Sequence, residues 1–81
     1  MEIVELQIKL IEWVGQLTEQ ELDERALSEP LQELGVDSLM ALELAVHVER
    51  GFGVRLSEEE LASIRTLEDI VKAARAKEPG L

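Results

Sequence analysis

Ser38 and the only histidine, His47, are the side chains whose types could together support nucleophilic catalysis, since a serine needs a neighbouring base to become reactive. Both lie in a segment whose pattern predicts a single helix. Nine positions of α-helix separate them by roughly 13 Å along the axis and turn them to opposite faces. Ser38 and His47 therefore cannot act together as a nucleophile and its general base.

Metal chemistry is equally unsupported by the spacing of possible ligands. The 18 acidic residues show no alternation of Asp or Asn around a glycine, as a calcium-binding loop requires, and His47 has no second histidine. The chain has no cysteine, so it has no disulfide, no thiolate ligand and no thiol of its own. We expect no catalytic residue, no metal site and no enzymatic turnover.

The composition describes one small acidic domain. With 81 residues, 46% of them hydrophobic but only 2% aromatic, the core must come from aliphatic helix faces. A net charge of −10 repels nucleic acid and anionic lipid and attracts basic protein surfaces. No segment is long and apolar enough to span a membrane, so we expect a cytoplasmic protein. We also expect a monomer, and the charge predicts that its partners are basic proteins.

Hydrophobic spacing predicts helices at the two ends of the chain. The first helix has apolar residues at intervals of three and four, and so does the last. Their stripes are Ile3, Leu6, Leu10, Trp13 and Leu17 in the first helix, and Leu67, Ile70, Val71 and Ala74 in the last. Ser28, Pro30 and Gly35 indicate a long connection after the first helix, from Thr18 to Asp37.

Two more helices are predicted in between. The second begins at Asp37 and Ser38, runs to Glu49 and is stopped by Gly51 and Gly53. Ser57 and Glu60 form a capping box that opens a short third helix over Glu58 to Ala62. The prediction is therefore an all-α, four-helix bundle with three longer helices and one short third helix, in a domain of residues 1–77 followed by a tail of residues 78–81.

The second helix has more apolar residues than one buried face needs, because eight of the eleven residues from Leu39 to Glu49 are apolar. At about 100° per residue, one stripe packs inward and a second turns away from it. The inward stripe is Ala41, Leu44, Ala45 and Val48, and the second stripe is Leu39, Leu42 and Val46. Either the helix is covered on both sides, or the second stripe is a docking face bordered by Asp37, Glu43 and Glu49.

The start of the second helix also has two interpretations. Asp37 and Ser38 are both good helix N-caps, and capping alone explains either of them. A glycine two residues before Asp37, together with a hydroxyl beside the second stripe, also suits a phosphodiester, which would face the free amides and positive dipole of the helix.

Residues 34–44 read LGVDSLMALEL, which closely resembles the phosphopantetheine attachment signature of acyl carrier proteins. The resemblance continues through Phe52, Gly53 and Val54, and through the capping box at Ser57 to the segment Thr66–Ile70, so it covers Leu34 to Ala74. It implies the helical carrier fold. It also implies a covalent 4'-phosphopantetheine, transferred from coenzyme A, whose thiol holds an acyl group as a thioester.

The resemblance assigns roles to individual residues. Ser38 is the attachment residue, and Asp37 and Leu39 flank the cofactor. The partner-binding residues are Met40, Leu42, Glu43, Val46 and Glu49. The implied partners are the phosphopantetheinyl transferase, ketosynthases, acyltransferases and other tailoring enzymes with basic docking surfaces.

The motif is more similar to carriers of polyketide synthases than to those of bacterial fatty acid synthesis, because Met40 stands where the latter have a further acid. Three alternatives stay open at this point. They are a peptidyl carrier of a nonribosomal peptide synthetase, a D-alanyl or other specialised carrier, and an unmodified acidic docking module in which Ser38 merely caps a helix.

Overall fold

The computed structural model describes residues 2–77, and every regular element in this range is helical. The longer helices are α1 (Ile3–Thr18), α3 (Ser38–Phe52) and α5 (Leu67–Ala76), and the short ones are α2 (Leu31–Leu34) and α4 (Glu58–Ser63). The predicted all-α bundle of three longer helices and a short third one is confirmed, with α4 as that helix. The predicted tail, residues 78–81, lies outside the described residues.

The long connection is more ordered than the sequence pattern indicates. It contains α2 and a 3-10 helix over Glu24–Leu27, which begins where the Asp23 side chain accepts a hydrogen bond from the Arg25 amide. Gly35 ends α2 with a φ of 85°, which disfavours any residue with a Cβ. The predicted end of the second helix was also too early, because α3 continues through Gly51 to Phe52 and only Gly53 ends it.

The three longer helices each contribute one apolar stripe to the core. Helix α1 packs against α5, α3 and the 3-10 helix, while α3 also contacts α4. The fully buried side chains of the core include Leu6, Leu10, Val14, Leu44, Val48, Leu67 and Ala74. The predicted stripe of α1 needs one correction, since Val14 is fully buried while Trp13 is only partly so, its wide ring covering the edge of the core.

Helix α4 is held by its own N-cap and by Lys77, the residue that follows α5. Ser57 and Glu60 form both hydrogen bonds of the predicted capping box. The Lys77 ammonium lies 2.8 Å from Glu60 Oε1, and this contact, with the Ser57 amide, lowers the pKa of Glu60 to about 2. Because the pKa of Glu60 is lowered from 4.5, the contacts of its carboxylate stabilise the fold fully above pH 4.5. This stabilisation is lost as the pH falls through about 2.

Gly51 and Gly53 are expected to respond oppositely to alanine. Gly51 is helical, and an added Cβ would lie 3.7 Å from the Trp13 ring, so Gly51→Ala should raise the free energy of unfolding by about 0.5 kcal/mol. Gly53 has a φ of 72°, so Gly53→Ala should lower it by about 1 kcal/mol. Urea unfolding followed by circular dichroism measures both, and changes of the same sign would contradict this account.

Candidate functional site

A tightly bonded turn leads the chain from α2 into α3. The Val36 amide donates to the Leu31 carbonyl at 2.9 Å, and the Val36 side chain is buried. On the far side of α2, the Leu31 amide donates to the Arg65 carbonyl at 2.9 Å. These bonds fix the backbone that presents Asp37 and Ser38.

Asp37 is the N-cap of α3. Its Oδ1 accepts a hydrogen bond from the Met40 amide at 2.9 Å, and its carbonyl accepts one from the Ala41 amide, also at 2.9 Å. Ser38 is the first helical residue and is exposed, and within residues 2–77 its hydroxyl makes no hydrogen bond. The interpretation of Ser38 as a helix cap is therefore wrong, because Asp37 has that role.

Beside Ser38 lies an open groove of about 1160 Å³ between the start of α3 and α4. Its apolar lining includes Leu31, Val36, Ala41, Leu42, Leu61 and Ile64. Asp37, Ser38 and Arg65 are among its polar residues. Sequence reasoning missed this groove, because its two walls come from segments about 20 residues apart, and no local pattern relates them.

The second apolar stripe of α3 faces outward. Leu39, Leu42 and Val46 are 71%, 50% and 45% exposed, so the described part of the chain does not cover the helix on both sides. Glu43 and Glu49, also exposed, lie on the same helix. Of the predicted partner-binding residues only Met40 differs, since it is half-buried and packs against the core.

His47 takes part in helix packing instead of acting on Ser38. Its ring stacks on Trp13 of α1 with centroids 4.9 Å apart and an angle of 22° between the planes. Phe52 meets the same indole edge to face at 6.5 Å. Sequence reasoning missed this contact between α1 and α3, although the only tryptophan and the only histidine were both visible in the sequence.

Neither a cluster of metal ligands nor a membrane-spanning helix is found among the residues that the structure describes. Among residues 2–77, no three His, Cys, Asp or Glu side chains come together as metal ligands. In the same range, no helix is both long enough and apolar enough to cross a bilayer.

Comparison with known proteins gives a family match and several relatives. The family model described as "Phosphopantetheine attachment site" matches residues 8–74. Polyketide-8 synthase acyl carrier protein 2 of Streptomyces avermitilis is 47% identical over 47 residues, which are 58% of this chain and 54% of that protein. Anthracycline acyl carrier protein DauA of a Streptomyces species is 60% identical over 35 residues, 43% of this chain and 42% of its own.

A more distant relative is the acyl carrier protein homolog of Mycoplasma genitalium, 38% identical over 50 residues, which are 62% of this chain and 60% of that protein. In these three alignments the chain spans about half the length of the relatives. The family match begins within α1, well before the motif at residues 34–44, so it also includes residues 8–18 of that helix, among them the buried Leu10 and Val14.

The geometry at the start of α3 fits the cofactor of this family. Ser38 has an exposed, unbonded hydroxyl, and the amides of Ser38 and Leu39 have no acceptor among residues 2–77. A phosphodiester on Ser38 would meet these amides and the positive end of the helix dipole. With the match over residues 8–74, these features identify the chain as a member of the phosphopantetheine-attachment family, to which acyl carrier proteins belong.

Proposed function

We propose that this chain is an acyl carrier in which Ser38 holds a covalently attached 4'-phosphopantetheine arm. The observation that carries the proposal is the free, exposed hydroxyl of Ser38 at the first position of α3. Because Asp37 already caps the helix, modification of Ser38 breaks no hydrogen bond of the described chain. The acyl carrier names of the relatives support the same function.

The residues of the chain attach and orient the arm, and partner enzymes make and break the acyl bonds. When bound, the arm supplies a terminal thiol that carries the acyl group as a thioester, which this cysteine-free chain cannot supply. The Ser38 oxygen would bond to the pantetheine-bearing phosphorus of coenzyme A as the pyrophosphate bond breaks and adenosine 3',5'-bisphosphate leaves, and the serine proton would pass to a base of the transferase. Asp37 holds the first turn of α3 in place, and Leu39, which is 71% exposed, lies next to the attachment point.

Enzymes of a synthase are the partners that this family implies. Within that group we propose a phosphopantetheinyl transferase, a ketosynthase, an acyltransferase and other tailoring enzymes. Leu42 and Val46 offer them an apolar contact, while Glu43 and Glu49 attract basic surfaces. The small apolar area and the −10 charge favour fast, weak association, which allows one carrier to visit several enzymes.

The pathway that we propose is polyketide synthesis, with a monomeric carrier in the cytoplasm. The names of two relatives, an anthracycline carrier and a polyketide synthase carrier, support the polyketide pathway. Loading the holo form with malonyl or aminoacyl groups separates this pathway from peptidyl use. We expect a polyketide ketosynthase to accept the malonyl form, and transfer of only the aminoacyl form by a peptide synthetase would contradict the polyketide proposal.

Intact-mass spectrometry tests the carrier function directly. Incubation of the chain with coenzyme A and a promiscuous phosphopantetheinyl transferase is expected to add the mass of one phosphopantetheine. A known carrier protein in a parallel reaction shows that the transferase is active. If that control is modified and this chain keeps its mass, the proposed function is wrong.

Reversal of the charges on α3 should slow docking without affecting the fold. Glu43→Lys and Glu49→Lys are expected to lower kcat/KM of the transferase by roughly threefold to tenfold at low salt and to flatten its salt dependence. Both carboxylates are exposed, so the free energy of unfolding should stay unchanged. Glu21→Lys, an equal charge change in the exposed connection, is the control, and an equal loss there would contradict a local docking role.

A further inference from the structure

Gln20 connects the end of α1 to the segment that presents Ser38. Its Nε2 donates a hydrogen bond of 2.7 Å to the carbonyl of Leu34, the last residue of α2. The last carbonyls of a helix have no partner within that helix, so a side chain that binds one fixes the helix end. Ser38 follows Leu34 by only four residues.

The backbone at Gln20 is itself closely constrained. The Gln20 amide donates to the Gly15 carbonyl at 2.9 Å, and Glu19 between them adopts a left-handed φ of 56°. A Cβ on Gly15 would lie 2.8 Å from the Gln20 carbonyl oxygen, which is too close for any other residue without a backbone shift. The backbone at the end of α1 therefore has a fixed conformation, from which the Gln20 side chain reaches the Leu34 carbonyl.

Helix α2 depends on such outside contacts. It has only four residues, which is too short for a helix to persist on its own hydrogen bonds. The Leu31 amide bonds to the Arg65 carbonyl at its start, and Gln20 bonds to the Leu34 carbonyl at its end. Of these two bonds, only the one from Gln20 uses a side chain and can be removed by substitution.

We propose that Gln20 is a positioning residue for the modification of Ser38, acting through Leu34 and the turn at Gly35. This inference rests on the proposed function of Ser38 as the attachment residue. Loss of the Gln20 bond leaves the Leu34 carbonyl without this partner, although the Gly35 and Val36 amides still bond within the turn, so that the turn and the Ser38 hydroxyl move over a wider range. The docking residues of α3 stay in place, so the rate of transfer falls while binding to the transferase does not.

Three variants separate the hydrogen bond from size and charge. Gln20→Met keeps the length of the side chain but donates no hydrogen bond, and Gln20→Lys can still donate to the Leu34 carbonyl. Gln16→Met is the matched control, because Gln16 is an exposed glutamine of α1 whose side chain makes no hydrogen bond to another described residue. For each variant, transferase kcat and KM are measured together with amide hydrogen exchange.

For Gln20→Met we expect kcat to fall about tenfold with KM within about twofold, as for a misplaced reacting group. Gln20→Lys and Gln16→Met should retain kcat within about twofold of the wild type. Amide exchange should accelerate at Val36 and Met40 in Gln20→Met alone, while the Val48 amide in the middle of α3 stays protected. A merely structural role would instead change exchange throughout the chain.

An unchanged kcat in Gln20→Met would overturn the inference, and so would an equal fall in Gln20→Lys. If the wild type itself is not modified, the proposed function fails and the role of Gln20 in modification fails with it, while the amide exchange of Gln20→Met still tests whether Gln20 fixes the segment that presents Ser38. Faster exchange confined to the segment from Val36 to Met40 supports positioning by Gln20, whereas unchanged exchange there contradicts it.

Discussion

Replacing Ser38 with alanine is expected to abolish the addition of phosphopantetheine and to leave the fold intact. The hydroxyl is the proposed attachment point, so its removal leaves the transferase no acceptor at the start of α3. The cap of α3 comes from Asp37, whose bond to the Met40 amide does not involve Ser38. Intact mass after incubation with coenzyme A and transferase measures the first effect, and thermal unfolding the second.

Ser63→Ala is the matched control for this experiment. Ser63 is also an exposed helical serine, but its hydroxyl donates to the Glu59 carbonyl at 3.1 Å and it does not line the groove beside Ser38. We expect this variant to gain one phosphopantetheine, as the wild type does. A mass gain in Ser38→Ala would show that another residue of the chain is the acceptor.

Leu44 and Leu42 lie two positions apart on α3, and their alanine variants should affect different properties. Leu44→Ala should lower the stability of the fold, and Leu42→Ala should weaken docking. Leu44 is fully buried, so Leu44→Ala should cost about 2–5 kcal/mol of unfolding free energy through lost burial and the cavity left behind. That is a large part of the about 5–15 kcal/mol typical of a whole domain. Denaturant titration followed by circular dichroism measures the loss.

Leu42 is 50% exposed, so Leu42→Ala should change the unfolding free energy by no more than about 0.5 kcal/mol. Its effect should fall on docking, with the transferase KM rising roughly fivefold because an apolar contact at the centre of the interface is lost. Equal destabilisation by both substitutions would mean that Leu42 belongs to the core. A normal KM in Leu42→Ala would remove it from the docking surface.

The sequence was most informative where one helix carries a strong pattern. The 3.6-residue period of α3 placed Leu44 and Leu42 on different stripes, of which the structure buries the first and exposes the second. Local hydrogen bonding was also readable, because the Ser57 and Glu60 capping box needs only residues three positions apart. Such features depend on near neighbours in the chain, which is why they could be predicted.

Features that depend on distant contacts could not be read in this way. Helix α2 has a single turn, which is too short to show a period, and its ends are fixed by Gln20 and Arg65 from other parts of the chain. The choice between Asp37 and Ser38 as the cap is a matter of backbone geometry, since both residue types are suited to it. The groove beside Ser38 likewise exists only once α4 packs against α3.

The stacking of Trp13 on His47 makes the tryptophan fluorescence of the protein sensitive to the contact between α1 and α3. The chain has one tryptophan and no tyrosine, so its near-ultraviolet emission comes almost wholly from the indole that joins α1 to α3. Separation of these two helices would expose that ring to water and move its emission to longer wavelength. Loosening of the bundle could therefore be followed by this emission, without any added dye, in the isolated chain or beside a partner that contains no tryptophan.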